Sequence, residues 1–272
     1  MAIGIALTIG LNSVDPEHYE GWIGTLNACE ADADDMSDLA VANGFTCTKL
    51  LTSAATRAAV MSAIAGAARQ LKSGDMFLIS YSGHGGQTPD LNGDEPDGLD
   101  ETWCLYDAQL IDDELYSLWG AFAPGVRIVM LSDSCHSGSV SREPHYIAQR
   151  ESVTPLVYRA MPRDVAQRVY LKNQAFYDPI LASRDIGASL SKVSASILLI
   201  SGCQDNQLSQ DGTFNGLFTG TMKSVWNGGT YRDSYRTFHK NIGALMPPDQ
   251  SPRLSMVGAM DLVFAAQRPF TI

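Results

Sequence analysis

The opening third of the chain constrains the fold more than any other stretch. Compact apolar runs at residues 2–10, 45–51 and 76–82 are separated by Ala-rich stretches at 26–42 and 54–71. In the first of these, Leu26, Met36, Leu39 and Ala40 recur at helical spacing and Asn43-Gly44 closes the segment; in the second, Val60, Met61, Ile64 and Leu71 form a stripe behind Thr52 or Ser53 as cap. Strand, helix, strand, helix, strand is the order that results. Parallel strands need crossover connections, so this order predicts a parallel sheet with helices packed on it. Further along, strands are predicted at 102–106, 127–132, 196–201 and 254–257, and helices at 112–121, 215–226 and 231–245. The fold class read from this pattern is α/β.

Composition narrows the choice. At 272 residues with 45% hydrophobic content the chain buries a sizeable core. Its net charge of −11 argues against nucleic acid or an anionic membrane as partner and favours a basic substrate. No apolar run approaches the roughly 20 residues of a bilayer span and no basic leader opens the chain, so a soluble, cytoplasmic monomer without a membrane partner is expected. Cys29, Cys47, Cys104, Cys135 and Cys203 are scattered without a C-x-x-C pair and read as free thiols.

Three apolar strands end in short polar or glycine-rich stretches: Ser82-Gly83-His84-Gly85-Gly86, Asp133-Ser134-Cys135-His136-Ser137-Gly138 and Gly202-Cys203-Gln204-Asp205. In a parallel sheet these ends share one edge, beyond which ligands bind. Cys135 alone reads equally as a small core residue or as a nucleophile. A histidine at a neighbouring strand end decides between them: His84 is placed to take the thiol proton, and the backbone N–H groups of Gly85, Gly86 and Cys135 are placed to meet an oxyanion. His136, the immediate neighbour of Cys135, cannot easily swing back onto its sulfur and is read as structural.

Tyr-Ser-Gly-His-Gly-Gly and Asp-Ser-Cys-His-Ser-Gly, with Cys135 51 positions after His84, resemble the caspase-like cysteine peptidases of the metacaspase and orthocaspase type over nearly the whole chain. The Gln-Ala-Cys-x-Gly signature of caspases proper is absent, while the histidine-to-cysteine spacing is kept. The resemblance implies a three-layer caspase-like fold in one domain: a large-subunit-like part at 1–138, a basic linker at 139–194 and a small-subunit-like part at 195–272. It implies an endopeptidase cutting after Arg or Lys, with Cys135, His84 and Gly85 as catalytic groups. Asp32 and Asp133 are implied as pocket carboxylates, with Ser82 and Cys29 as further lining; Asp205, which closes the third strand end, reads as added negative charge at the rim.

The resemblance also implies a zymogen. The linker has little periodicity and reads as an extended connection or surface insertion, and self-cleavage is expected there after Arg142, Arg150, Arg159, Arg163, Arg168, Lys172 or Arg184. Asp100, Asp112 and Asp113 match calcium-site positions, but Arg142 stands where the family has a further aspartate, so no cofactor is expected to be required. The alternatives are a catalytically silent caspase-fold scaffold and a thiol amidase acting on a small molecule.

Overall fold

The computed structural model describes residues 1–93, 95, 97–134, 157–183, 193–203 and 209–272. Its centre is a six-stranded sheet of β1 (Gly4–Gly10), β2 (Thr46–Leu51), β3 (Met76–Ser82), β7 (Arg127–Asp133), β8 (Ser196–Ser201) and β9 (Arg253–Gly258), in the order β2-β1-β3-β7-β8-β9. All neighbours pair in parallel except β9, which runs antiparallel to β8.

Alternation along each strand builds two cores. Phe77, Ile79 and Tyr81 of β3 and Ile128 and Met130 of β7 face one side, where they meet α2 (Arg57–Gln70) through Val60 and Ile64 and α3 (Asp112–Trp119) through Leu115 and Trp119. Met76 and Leu78 of β3 and Val129 and Leu131 of β7 face the other, against Met36 and Leu39 of α1 (Cys29–Ala42), Phe218 and Met222 of α6 (Leu217–Trp226), and Phe238 and Ile242 of α7 (Tyr235–Leu245). Successive strand residues point to opposite faces, so these continuous apolar runs serve a sheet covered on both sides. The result is the three-layer α/β arrangement expected.

Local differences have local causes. The predicted start of the second helix gives way to a 3₁₀ turn at Thr52–Ala54, and α2 starts at Arg57 behind Thr56, whose hydroxyl accepts the Ala59 N–H at 3.2 Å. Neither Thr52 nor Ser53 is the cap. Likewise α1, α6 and α7 start later than predicted, α7 at Tyr235 behind the capping hydroxyl of Ser234. A second sheet was not anticipated: β4 (Gly85–Pro89), β5 (Leu99–Cys104) and β6 (Gln109–Ile111) form an antiparallel three-stranded unit. Gly-Gly-Gln-Thr-Pro carries no apolar alternation that marks it as a strand.

The segment read as an extended linker holds two helices, α4 (Arg163–Lys172) and α5 (Gln174–Leu181), which bury Val165, Val169, Tyr177 and Leu181. Their signals are weak because α4 has few apolar residues among its charges and α5 contains Pro179. A short α8 (Leu262–Ala266) closes the fold. Among the described residues no helix is long and apolar enough to cross a membrane, and Cys29, Cys47, Cys104 and Cys203 are free thiols.

Candidate functional site

Strand order brings the three polar strand ends together. β3, β7 and β8 are neighbours, and Ser82 pairs with Asp133 while Ser132 pairs with Ser201. The chain leaves this edge through Gly83-His84 on one strand, Ser134 on the next and Gly202-Cys203 on the third. Cys135, His136 and Asp205 lie outside the described residues, as do Arg142, Arg150 and Arg184.

His84 is held from several sides. Its carbonyl accepts the Tyr81 hydroxyl at 2.7 Å and the Cys104 N–H at 2.9 Å, and Tyr81 is itself stacked on Trp103 with centroids 4.4 Å apart. The ring lies 4.7 Å from the Trp22 ring, and Nε2 is 3.0 Å from the Gly24 carbonyl. A carbonyl can only accept, so Nε2 carries the proton and Nδ1 keeps its lone pair. Nδ1 is buried without a hydrogen-bond partner among the described residues. Burial pushes the imidazole pKa down to about 4, so the ring is neutral near pH 7 and able to accept a proton. Trp22 and Gly24 escaped the sequence reading because they sit in an irregular segment before α1. Gly24 has φ +56°, and a Cβ there would meet Trp22 at 2.8 Å and His84 Cδ2 at 3.0 Å, so glycine is needed both for the backbone turn and for the close approach.

Asp32 and Asp133 converge on one guanidinium, which comes from the same chain. Arg159 is fully buried; Nη2 donates to Asp32 Oδ2 at 2.7 Å and to Asp211 Oδ1 at 3.0 Å, while Nη1 lies 2.9 Å from Asp133 Oδ2 and donates to Ser82 Oγ at 2.8 Å. The pocket is therefore built from three carboxylates and a hydroxyl. Each acid has its own support: Asp32 accepts from Ser82, Asn215 and the Gly216 N–H, Asp133 from Ser209 and Thr219, and Asp211 from the Asn27 N–H. Gly216 forms the floor, because a Cβ there would stand 2.6 Å from three atoms of the guanidinium. Burial works against the Arg159 charge, yet Asp133, Asp32 and Asp211 hold it protonated, and burial pushes the Asp32 carboxyl up with Arg159 opposing. Cys29 is buried beside the pocket and its thiol is pushed up to about 12 by burial, so it is no nucleophile at neutral pH. Asp211 and Gly216 were not singled out in the sequence: Asp211 follows β8 in a stretch with no periodicity, Gly216 falls at the start of the helix predicted at 215–226, and only the fold carries them to Asp32.

The backbone around Arg159 is also engaged. Its N–H donates to the Ser209 carbonyl at 3.0 Å, and its carbonyl accepts the Gly85 N–H at 3.0 Å. Tyr158 bridges Gln210 in antiparallel fashion and Ala160 bridges Gly85 in parallel fashion.

The acidic rim is arranged differently from the sequence expectation. Carboxylate oxygens of Glu95, Glu101 and Asp112 lie within 4.8 Å of one another, whereas Asp100 is buried in β5 and Asp113 accepts from the Asn92 amide at 2.7 Å. Burial, then Glu101, Asp100 and Asp113, raise the Asp112 carboxyl well above its ordinary range. Hard oxygen donors of this kind suit a divalent cation such as calcium.

Comparison with known proteins places these features in context. Residues 3–263 match the family described as "Caspase domain". The chain is 30% identical over 249 residues to Metacaspase-1 of Ajellomyces capsulatus, covering 80% of this chain and 68% of that protein. It is 32% identical over 251 residues to Metacaspase-1A of Aspergillus fumigatus, covering 80% of this chain and 58% of that protein, so it spans only part of the length of the curated relatives it matches. The crystal structure of protein GSU0716 from Geobacter sulfurreducens superposes with a TM-score of 0.89 at 57% identity, covering 99% of this chain and 98% of the other.

Proposed function

Because this chain belongs to the caspase-domain family of cysteine peptidases, we propose that it is an endopeptidase that cuts after Arg, and less readily after Lys, with Cys135 as nucleophile and His84 as its base. One observation carries the specificity: a guanidinium sits fully buried among Asp32, Asp133 and Asp211. Carboxylates on different edges of a planar fork suit Arg, whereas a lysine ammonium is a compact point charge that presents no such fork to them.

The mechanism follows from the groups at the sheet edge. The Cys135 thiol passes its proton to His84 Nδ1, and the sulfur attacks the carbonyl carbon after the basic residue. Charge developing on the carbonyl oxygen is met by the Gly85 N–H, which already donates to the Arg159 carbonyl at 3.0 Å, and by the Cys135 N–H. The imidazolium returns the proton to the leaving amine, and water hydrolyses the thioester. Nucleophile, base and donors all come from the chain. Glu95, Glu101 and Asp112 are the residues that would hold calcium, which when bound would offset their mutual repulsion, and no step of the reaction passes through it. The proposed substrates are proteins or peptides with an exposed Arg or Lys.

The test is a specificity scan with fluorogenic peptide amides carrying Arg, Lys, Leu or Asp before the amide, run on incubated wild-type protein beside Cys135→Ala. Expected are rates in the order Arg, Lys, then background for Leu and Asp, with Cys135→Ala at background throughout. Equal hydrolysis of the Leu peptide, or an active Cys135→Ala protein, overturns the reading. Gly24→Ala serves as a finer probe: moving the carbonyl that orients His84 is expected to lower kcat about tenfold to a hundredfold with KM little changed. Steady-state kinetics on the Arg peptide check this.

A further inference from the structure

β3 carries a serine on a face that is otherwise apolar below the pocket. Met76 and Leu78 belong to the core shared with Met36 and Phe218, and Ser82 contacts the guanidinium. Ser80 stands between them on the same face, 5% exposed, and its hydroxyl has no hydrogen-bond partner among the described residues. A buried hydroxyl left unpaired costs stability, so it calls for an explanation.

The space beside it supplies one. A cavity with about 10 Å³ of room for the centre of a water molecule is bordered by Ser80, Asp32, Asp133 and Thr219 and closed by Met36 and Phe218, all of them buried. One water needs roughly 10–15 Å³ of such room together with two to four polar partners, whereas apolar voids stay dry. Here the partners are present. The Ser82 and Thr219 hydroxyls at this cavity already donate, to Asp32 Oδ2 at 2.7 Å and to Asp133 Oδ2 at 2.8 Å. Ser80 therefore has the free hydroxyl proton, and two carboxylates that can only accept lie across from it. Arg159 does not border the cavity, so the acids separate it from the guanidinium.

We propose that this cavity is a water site, in which one water accepts the Ser80 hydroxyl proton and donates its own two protons to the Asp32 and Asp133 carboxylates, and that Ser80 is thereby a positioning residue for the binding of a basic side chain. This rests on the peptidase reading above. Ser80 touches no substrate atom and acts through the water on the acids that do. Hydrogen bonds donated to an ionised carboxylate favour that form, so the water keeps both acids charged and oriented from below when no guanidinium joins them from above. Burial raises the Asp32 carboxyl, Arg159 opposes this and Asp133 adds to it, so without a guanidinium both remaining influences favour protonation. The other charged or titratable groups facing the pair are Asp211, Cys29 and Asp35 of α1, the last of these paired with Lys223 of α6.

The experiment combines high-resolution crystal structures of the full chain, as wild type and Ser80→Val, with steady-state kinetics of incubated protein on an Arg peptide amide from about pH 5 to about pH 8. Valine replaces the hydroxyl by methyl groups that fill the cavity; Ser80→Ala, which only deletes the hydroxyl, stands in if the valine protein is overpacked and fails to fold. One water within hydrogen-bond distance of Ser80 Oγ is expected in wild type and none in Ser80→Val. An acid that has lost the water takes up a proton more readily, so KM is expected to rise about threefold to tenfold at the acid end, the range for loss of one hydrogen bond. Near pH 8 KM is expected to stay close to wild type, and kcat to be unchanged at both ends. A serine that merely packs would lower kcat or raise KM equally at every pH, and either result overturns the role of Ser80, as does an unchanged KM at the acid end. A dry cavity in the wild-type crystal overturns the water site whatever the kinetics. Wild type that leaves the Arg peptide uncut overturns the peptidase reading, and with it the role of Ser80, while the crystal decides the water site by itself.

Discussion

Asp133→Asn is expected to lower kcat/KM for Arg peptides by roughly thirtyfold to several thousandfold, the equivalent of about 2–5 kcal/mol for removing one charge from a buried, hydrogen-bonded pair. Asp133 ends β7 two positions before Cys135 and is 2% exposed. Its Oδ2 lies 2.9 Å from the guanidinium and accepts the Thr219 hydroxyl at 2.8 Å, while Oδ1 accepts Ser209 at 2.5 Å. Asparagine preserves the shape and one acceptor, so the fold is expected to persist. What is lost is charge where no bulk water compensates for it, and the penalty falls on the guanidinium left facing Asp32 and Asp211. Michaelis–Menten kinetics alongside thermal melting check this: a cooperative melt at a lowered temperature, because the buried Arg159 pair is weakened too, with kcat/KM down by the stated factor is the expected result. Unchanged kinetics on the Arg peptide would remove Asp133 from the pocket.

His84→Asn is expected to lower kcat by about 10²–10⁴-fold, the range for loss of a positioned general base. The same substitution carries a pH signature. Burial pushes His84 down to about 4, below the ordinary value near 6.5 that the unfolded chain retains. Between pH 6.5 and 4 the unfolded chain therefore binds a proton that the folded chain refuses. Stability that is fully present above pH 6.5 is lost as pH falls towards 4. Over the interval from pH 7 to 4.5 wild type is expected to lose about 2–3 kcal/mol more than His84→Asn, which has no group to titrate there. Urea unfolding of both proteins at the two pH values measures the difference. Parallel losses would show that His84 is not held neutral by burial.

The sheet was legible because its causes are local. Apolar runs such as Met76–Ser82 and Ala-rich stripes such as Val60 and Ile64 reach both faces of the sheet with the periodicity the sequence displays. The positions of His84 and Gly85 were legible because strand ends are visible once the strands are, whereas Asp133 was singled out only through the family resemblance. The second sheet was not, since β4 is Gly-Gly-Gln-Thr-Pro, nor were α4 and α5, whose apolar positions are few and, in α5, interrupted by Pro179. Gly24 contributes a carbonyl and Gly216 an absence of side chain, and neither leaves a mark in composition or period.

Arg159 shows most sharply where local reasoning stops. In the sequence it is one of eight lysines and arginines between 139 and 194, and nothing in its neighbours sets it apart. By itself the sequence determined the succession of strands and helices in the amino-terminal half, and it set a histidine and a cysteine at the ends of two predicted strands with acids near both. Only the tertiary structure decided which acids share a pocket, that Asp211 joins Asp32 and Asp133 there, and that one arginine of the same chain fills it. The reason is physical: periodicity reports the burial of a residue's own element, whereas a pocket is made where elements distant in sequence meet, and the charge of Arg159 is stabilised only there.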